Sequence, residues 1–398
     1  MIVQASTCKL SVIIPARNEF PNICHTVHSI WNCLDADGFK PQEFEIIIVN
    51  NASDDRRWPQ RGTGGTTDHL MTRGAYYNRM LRVVYDPIPG NHSTRNKGAA
   101  IARGEYLFFS DGHMAYKPGF FKSILETVDK RGGLVHGSLQ FIGAYPVVES
   151  SMGYQYTWKL GDECRQTWAN YKLSDQPWYI IGQGAWGMAC KRAEFLLSGG
   201  YERYHKTYGG EFFITSKAWM MGSSVSVDPN AVGWHLASGR GYSYDHMEYV
   251  ENILNLLYAL GADDWRERTY INYLRTKNKA QLDEIMERGA KLYAKERAWI
   301  AKKSRFTFNQ LLTERPWEKK NIELYGKSNC GMLVFHWSEL ELIAQSPVAK
   351  EAYLKSKYQQ ELGEFIEVNM IPYIYRHNEW VKKHGIEKLI NFRKTLEW

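Results

Sequence analysis

At 398 residues the chain is longer than one hydrophobic core usually serves, so two domains are expected, and 44% apolar residues are ample to pack them. Fifty Lys and Arg against 43 Asp and Glu leave a formal charge of +7, too small to name a partner by itself. There is no run of 18 apolar residues and no basic-then-apolar leader, which excludes a spanning helix and leads us to expect no membrane anchor or secretion signal.

In chain order, Leu10-Ser-Val-Ile-Ile-Pro15 reads as a strand that stops at a proline, followed by Ala-Arg-Asn-Glu19. Ile23, Val27, Ile30, Trp31 and Leu34 then recur at helical spacing, and Phe44-Glu-Ile-Ile-Ile-Val-Asn-Asn51 reads as a second buried strand. That is a β-α-β unit whose strands should lie parallel, covered on both faces. Residues 56–79 hold five arginines and four glycines, a loop suited to act as a lid or acceptor clamp. Leu81–Tyr85 is a third strand, and Thr94-Arg-Asn-Lys-Gly98 leads into a short Ala-rich helix.

Tyr106-Leu-Phe-Phe-Ser-Asp-Gly-His113 then carries an apolar strand into a carboxylate and an imidazole two positions apart. In an extended chain such residues point the same way. Asp111 and His113 could therefore hold one divalent ion at the carboxyl end of a strand, where open α/β sheets bind ligands. One oxygen and one nitrogen donor suit Mn²⁺ better than Mg²⁺. The bland alternative is an Asp and a His capping a turn.

Further blocks follow: Gly182-Gln-Gly-Ala-Trp-Gly-Met-Ala-Cys190, Ser198-Gly-Gly-Tyr201, Tyr208-Gly-Gly-Glu211 and Val232-Gly-Trp-His235. With the earlier segments, over roughly residues 8–240, the chain resembles the GT-A fold glycosyltransferases of family 2 type. It is most similar to their polypeptide N-acetylgalactosaminyltransferase branch, whose metal motif is Asp-x-His. The resemblance implies a Rossmann-like, mostly parallel α/β sheet with helices on both faces and a UDP-sugar donor. It also implies a metal, Mn²⁺ or Mg²⁺, held by Asp111, His113 and a third ligand, His235. Pro15, Arg17 and Glu19 would border the nucleoside pocket. Asn51 stands where relatives often have an Asp that meets the base, and Arg95 would reach the diphosphate or the base. Asp111 and Glu211 would be the catalytic carboxylates. Relatives that invert often have Glu-Asp where this chain has Glu211-Phe212, so the departure leans towards retention of configuration, the diphosphate oxygen helping to take the acceptor proton. A helix N-terminal carboxylate, favoured by the helix dipole, is the plain alternative for Glu211.

The division expected is a catalytic domain over 1–242 and a mainly α-helical, locally basic domain over 243–398. Arg266–Lys327 holds 16 Lys and Arg against 8 Asp and Glu, interleaved with aromatics from Trp265 to Tyr325. Basic side chains with stackable rings suit a polyanion with exposed bases. A hydroxymethylated pyrimidine in DNA is therefore one acceptor expected, its base leaving the stack to react. A soluble enzyme acting on protein side chains or a glycan is the second reading, and a non-enzymatic nucleotide-sugar or nucleic-acid binding module the third. A solvated helix face with buried rings is the alternative for the basic stretch itself. Six cysteines without paired spacing suggest reduced thiols, hence a cytoplasmic protein, in a host's cytoplasm if virus-encoded. Nothing in the sequence assigns an oligomeric state, and pocket shape rather than these motifs would choose the donor sugar.

Overall fold

The computed structural model describes residues 8–54, 81–142, 155–160, 164–169, 172–184, 186–204, 210, 212–236, 245–326 and 334–335. The Arg-rich loop at 56–79, Glu211 and most of residues 327–398 lie outside the described residues.

Strand β1 (Leu10–Ala16), helix α1 (Asn22–Ala36) and strand β2 (Phe44–Asn51) form the expected unit, and the two strands run parallel from Leu10↔Phe44 to Ala16↔Asn50. Alternation decides what each strand residue touches. Leu10, Val12 and Ile14 pack with Ile23, Val27, Ile30 and Leu34 of α1, whereas Ile13 joins Ile47 and Val49 in the core on the opposite face.

Strand β3 (Leu81–Asp86), helix α2 (Asn91–Ile101) and strand β4 (Tyr106–Phe109) follow, then the short strand β5 (Met114–Tyr116), helix α3 (Phe120–Arg131) and strand β6 (Leu134–Ile142). Next come β7 (Gln155–Leu160), β8 (Cys164–Ala169), β9 (Trp178–Tyr179), β10 (Met188–Lys191), α4 (Arg192–Leu197), α5 (Phe212–Met220) and β11 (Val225–Leu236). The main sheet has the order β3-β2-β1-β4-β10-β6-β11-β5, with β9 on β11. Its first four strands are parallel, and β10 enters antiparallel between β4 and β6. A smaller sheet pairs β7 with β8 and, in parallel, with β12 (Val334–Phe335).

Residues 245–326 are mostly helical, as their pattern predicts: α6 (His246–Ala259), α7 (Asp263–Leu274), α8 (Lys279–Lys303), α9 (Phe308–Glu314) and α10 (Pro316–Tyr325). Its core is continuous with the sheet's. Ile253, Leu256, Tyr293, Phe308 and Trp317 belong to the same buried cluster as Ile13, Phe109 and Trp178, and the Trp317 ring lies 6.0 Å from that of Trp219 in α5.

Several aromatics of the basic stretch are thus core. Tyr273, Tyr293, Phe308 and Trp317 are buried. Many of its cations are matched by neighbours: Arg297 with Asp263, Arg288 with Glu251 and Glu284, Lys291 with Glu287, Lys279 with Asp283. Arg266 is buried and donates to the carbonyls of Leu254 and Met286. Of the acidic partners only Asp263 and Glu251 lie outside the counted stretch, where a local charge count could not see them. Among the described residues no helix is long and apolar enough to cross a membrane, and Cys33 and Cys190 form no disulfide.

One core residue ties stability to pH. His136 on β6 is fully buried, neither ring nitrogen has a hydrogen-bond partner among the described residues, and burial pushes its pKa down to about 3. The unfolded chain takes up that proton near pH 6.5, so acid favours unfolding from there down to the folded value. Between pH 7 and pH 4.5 this histidine should cost about 2–3 kcal/mol of stability. Urea unfolding at the two pH values checks it: His136→Phe should flatten the dependence, and an unchanged slope would clear His136 of the effect.

Candidate functional site

The site forms where the parallel strands end. Strands β1 and β4 run side by side from Leu10↔Tyr106 to Ile13↔Phe109, and Ser110 N–H donates to the Ile13 carbonyl at 3.0 Å. The segments leaving both strands are therefore adjacent, one carrying Arg17 and Glu19, the other Asp111 and His113. The strand stops at Phe109, so Asp111-Gly112-His113 is a turn rather than the extended alternation expected from sequence. The turn feeds β5, which pairs antiparallel with β11 and sets Met114 opposite His235. That pairing brings His235 beside His113 from 122 residues away.

The three side chains converge. His113 Nε2 and His235 Nε2 are 3.1 Å apart, His235 Nε2 is 3.6 Å from Asp111 Oδ2, and one ligand atom from each residue lies within 4.8 Å of the others. One carboxylate and two imidazoles facing a common point are a donor set suited to a borderline divalent ion such as Mn²⁺. Burial raises the pKa of Asp111, but the His235 hydrogen bond and the neighbouring Arg95 charge outweigh it and hold the carboxyl well below the usual range. Asp111 is an anion throughout neutral pH.

Arg95 explains much of that. It is 1% exposed, and its guanidinium donates to Asp111 Oδ1 and to the Asn91 carbonyl, lying 5.9 Å over the Tyr201 ring. Helix α2 can carry it there because Gly98 lets the helix lie against the sheet: a Cβ at that position would stand 2.5 Å from Ile13 Cγ2. With Oδ1 given to Arg95, Oδ2 faces His235.

Glu19 is buried, and both its carboxylate oxygens accept from His113 Nδ1 at 3.0 Å. The contact leaves Nε2 turned to Asp111 and His235. Sequence reasoning placed Glu19 at the nucleoside pocket; the structure sets its carboxylate on the His113 ring. Asn51 is likewise engaged: its Nδ2 donates to the Ile88 carbonyl at 2.7 Å and its Oδ1 accepts from Gly90 N–H at 2.9 Å, fastening the loop before α2. Pro15 is half-buried on β1 and Arg17 half-buried just beyond it. Next to Arg17, Asn18 exchanges hydrogen bonds with Asp54 at 2.7 and 2.9 Å, tying the loops after β1 and β2 together. Glu211 lies outside the described residues, but Phe212 after it is buried in the core.

Two buried charges escaped the sequence analysis. Glu202, in the turn after Tyr201, is fully buried and accepts from Tyr293 Oη of α8 at 2.6 Å. Lys217 of α5 is fully buried, donates to the Gly200 carbonyl and lies over the Phe213 and Trp299 rings. Burial pushes its pKa down to about 8. Only the Tyr201-Glu202 dipeptide after two glycines hinted at such a turn.

Residues 11–150 match the family described as glycosyl transferase family 2. Those residues, less than half of the chain, are similar to a family 2 glycosyltransferase domain. Asp111, His113, Arg95 and Glu19 fall inside the matched residues, and His235 lies beyond them. Over 241 residues the chain is 23% identical to a putative polypeptide N-acetylgalactosaminyltransferase 13 of Drosophila melanogaster, covering 55% of this chain and 40% of that protein. It is 22% identical to N-acetylgalactosaminyltransferase 7 of the same organism over 287 residues, covering 68% of this chain and 46% of the relative. The chain thus spans less than half the length of these relatives. A crystal structure of GalNAc-T7 with UDP, GalNAc and Mn²⁺ is similar at a TM-score of 0.54 and 16% identity, over 73% of this chain and 57% of that one. The similarity shows the GT-A fold, an α/β sheet with a helical C-terminal region.

Asp111→Ala or His113→Ala should leave the circular dichroism of the protein unchanged. Each should weaken Mn²⁺ binding by more than the roughly 10–100-fold that a change outside the ligand set costs. Titration calorimetry measures it, and wild-type affinity in either variant would remove the metal reading.

Proposed function

We propose that the chain is a metal-dependent glycosyltransferase that moves a sugar from a UDP-sugar to an acceptor hydroxyl, with Asp111, His113 and His235 holding Mn²⁺. The observation that carries this reading is the convergence of those three side chains at the carboxyl end of β4, within residues similar to a family 2 glycosyltransferase domain. When bound, the ion supplies charge neutralisation for the departing diphosphate. The chain's own residues do the rest. Arg95 keeps Asp111 ionised and oriented, and the Asn51 clamp holds the loop in front of α2.

The acceptor we favour is a protein side chain or a glycan. The relatives named as N-acetylgalactosaminyltransferases support it. The DNA reading loses support, because Tyr273, Tyr293, Phe308 and Trp317, four of the rings that were to stack on bases, are buried and many of the cations are already paired. Retention of configuration is the stereochemical reading. Where inverting relatives would place a base, this chain has Phe212, which is apolar and buried. Glu211 would then orient the sugar or the acceptor.

UDP release from a panel of UDP-sugars, with and without Mn²⁺, tests the class, and hydroxyl-bearing peptides, glycans and hydroxymethylated DNA test the acceptor. Release should require the metal and rise with a peptide or glycan; stimulation by the DNA alone would restore the nucleic-acid reading. NMR of the product should show the donor's anomeric configuration, and Glu211→Gln should lower turnover far more than donor affinity. An inverted product would overturn retention.

A further inference from the structure

We infer that Glu19 is a positioning residue for the metal site, setting the orientation and tautomer of His113. The inference rests on the metal reading of Asp111, His113 and His235, and it adds a residue that none of the motifs marks as part of that site.

A free imidazole offers two nitrogens, and a ligand must present the right one, unprotonated, at the right angle. Metal-bound histidines commonly achieve this by donating the other ring N–H to a carboxylate. Here the Glu19 carboxylate straddles His113 Nδ1 with two equal distances of 3.0 Å. Both groups are buried, their side chains 6% and 4% exposed, so water does not compete for the contact. Among the described residues the carboxylate has no other polar partner. An acceptor fixed on Nδ1 places the proton there and leaves Nε2 as the lone-pair nitrogen. That nitrogen is the one that lies 3.1 Å from His235 Nε2.

Gly112 is what admits the carboxylate. A Cβ at residue 112 would stand 2.8 Å from Glu19 Cγ and 3.1 Å from Cδ. The residue between the two ligands is therefore bare on the side where Glu19 lies. The arrangement also suits an anionic donor. A glutamate facing a nucleoside diphosphate would repel it, whereas one whose oxygens are both turned onto an imidazole N–H is partly neutralised.

Two readouts test the assignment independently of sugar transfer. In metal-free protein with ¹⁵N-labelled histidine, His113 should carry its proton on Nδ1, and Glu19→Ala should shift it towards Nε2. In Mn²⁺ titrations Glu19→Ala should weaken binding about 10–100-fold with the fold intact by circular dichroism, and Glu19→Gln, which keeps an acceptor without the charge, should fall between. Gly112→Ala should mimic Glu19→Ala by displacing the carboxylate. An unchanged His113 tautomer in a folded Glu19→Ala protein would overturn the proposal, as would wild-type Mn²⁺ affinity in both Glu19 variants. Should the unaltered protein bind no Mn²⁺, the metal reading fails by itself, and the tautomer still decides whether Glu19 orients the ring.

Discussion

Desolvation at the carboxyl ends of β1 and β4 is the constraint on which the rest of the site depends. Glu19, Arg95, His113 and His235 are all buried there beside a half-buried Asp111, and a charge taken out of water must find a partner. Each does. Arg95 meets Asp111, Glu19 meets His113, and His235 faces both Asp111 and His113. The pairing leaves two imidazole nitrogens and one carboxylate oxygen pointing at a common volume. A cation placed among them would relieve the crowding of donors rather than add to it.

How that cluster is assembled shows which parts of the fold the sequence could reveal. β1, β2 and α1 were legible because each is a local pattern: unbroken apolar runs of strand length on either side of a 3.6-residue repeat. Asp111 and His113 were legible as a pair because they are two residues apart. Their convergence nonetheless arises differently from the reading, through a turn with glycine at its centre rather than through strand alternation. His235 could be reached only by resemblance, since its place beside His113 depends on the antiparallel register of β5 and β11. The Glu19–His113 contact spans 94 residues and follows from the parallel register of β1 and β4. No local pattern encodes such a register, so Glu19 was assigned to the loop where it sits rather than to the ring it touches.

Asn51 and Arg95 make the same point about polar side chains. Each was read as reaching outward to a ligand, because a polar residue at the end of a strand or the start of a helix is usually free to do so. The structure spends both on the protein itself. The Asn51 amide closes the loop at Ile88–Gly90, and Arg95 is sealed under α2 against Asp111.

The helical region extends this argument beyond the sheet. Its excess of Lys and Arg suggested a face for a polyanion, yet much of its polar chemistry is directed inward. Tyr293 of α8 reaches Glu202, and Trp299 of the same helix covers Gly199 and Lys217. Both contacts bear on the turn at Ser198–Tyr204, whose Tyr201 ring lies beneath the guanidinium of Arg95. A single chain of packed groups therefore runs from α8 through that turn and α2 to Asp111. The physical role this supports for the helices is to brace the site. The same burial that makes them a brace takes Tyr273, Tyr293, Phe308 and Trp317 away from any nucleic-acid surface.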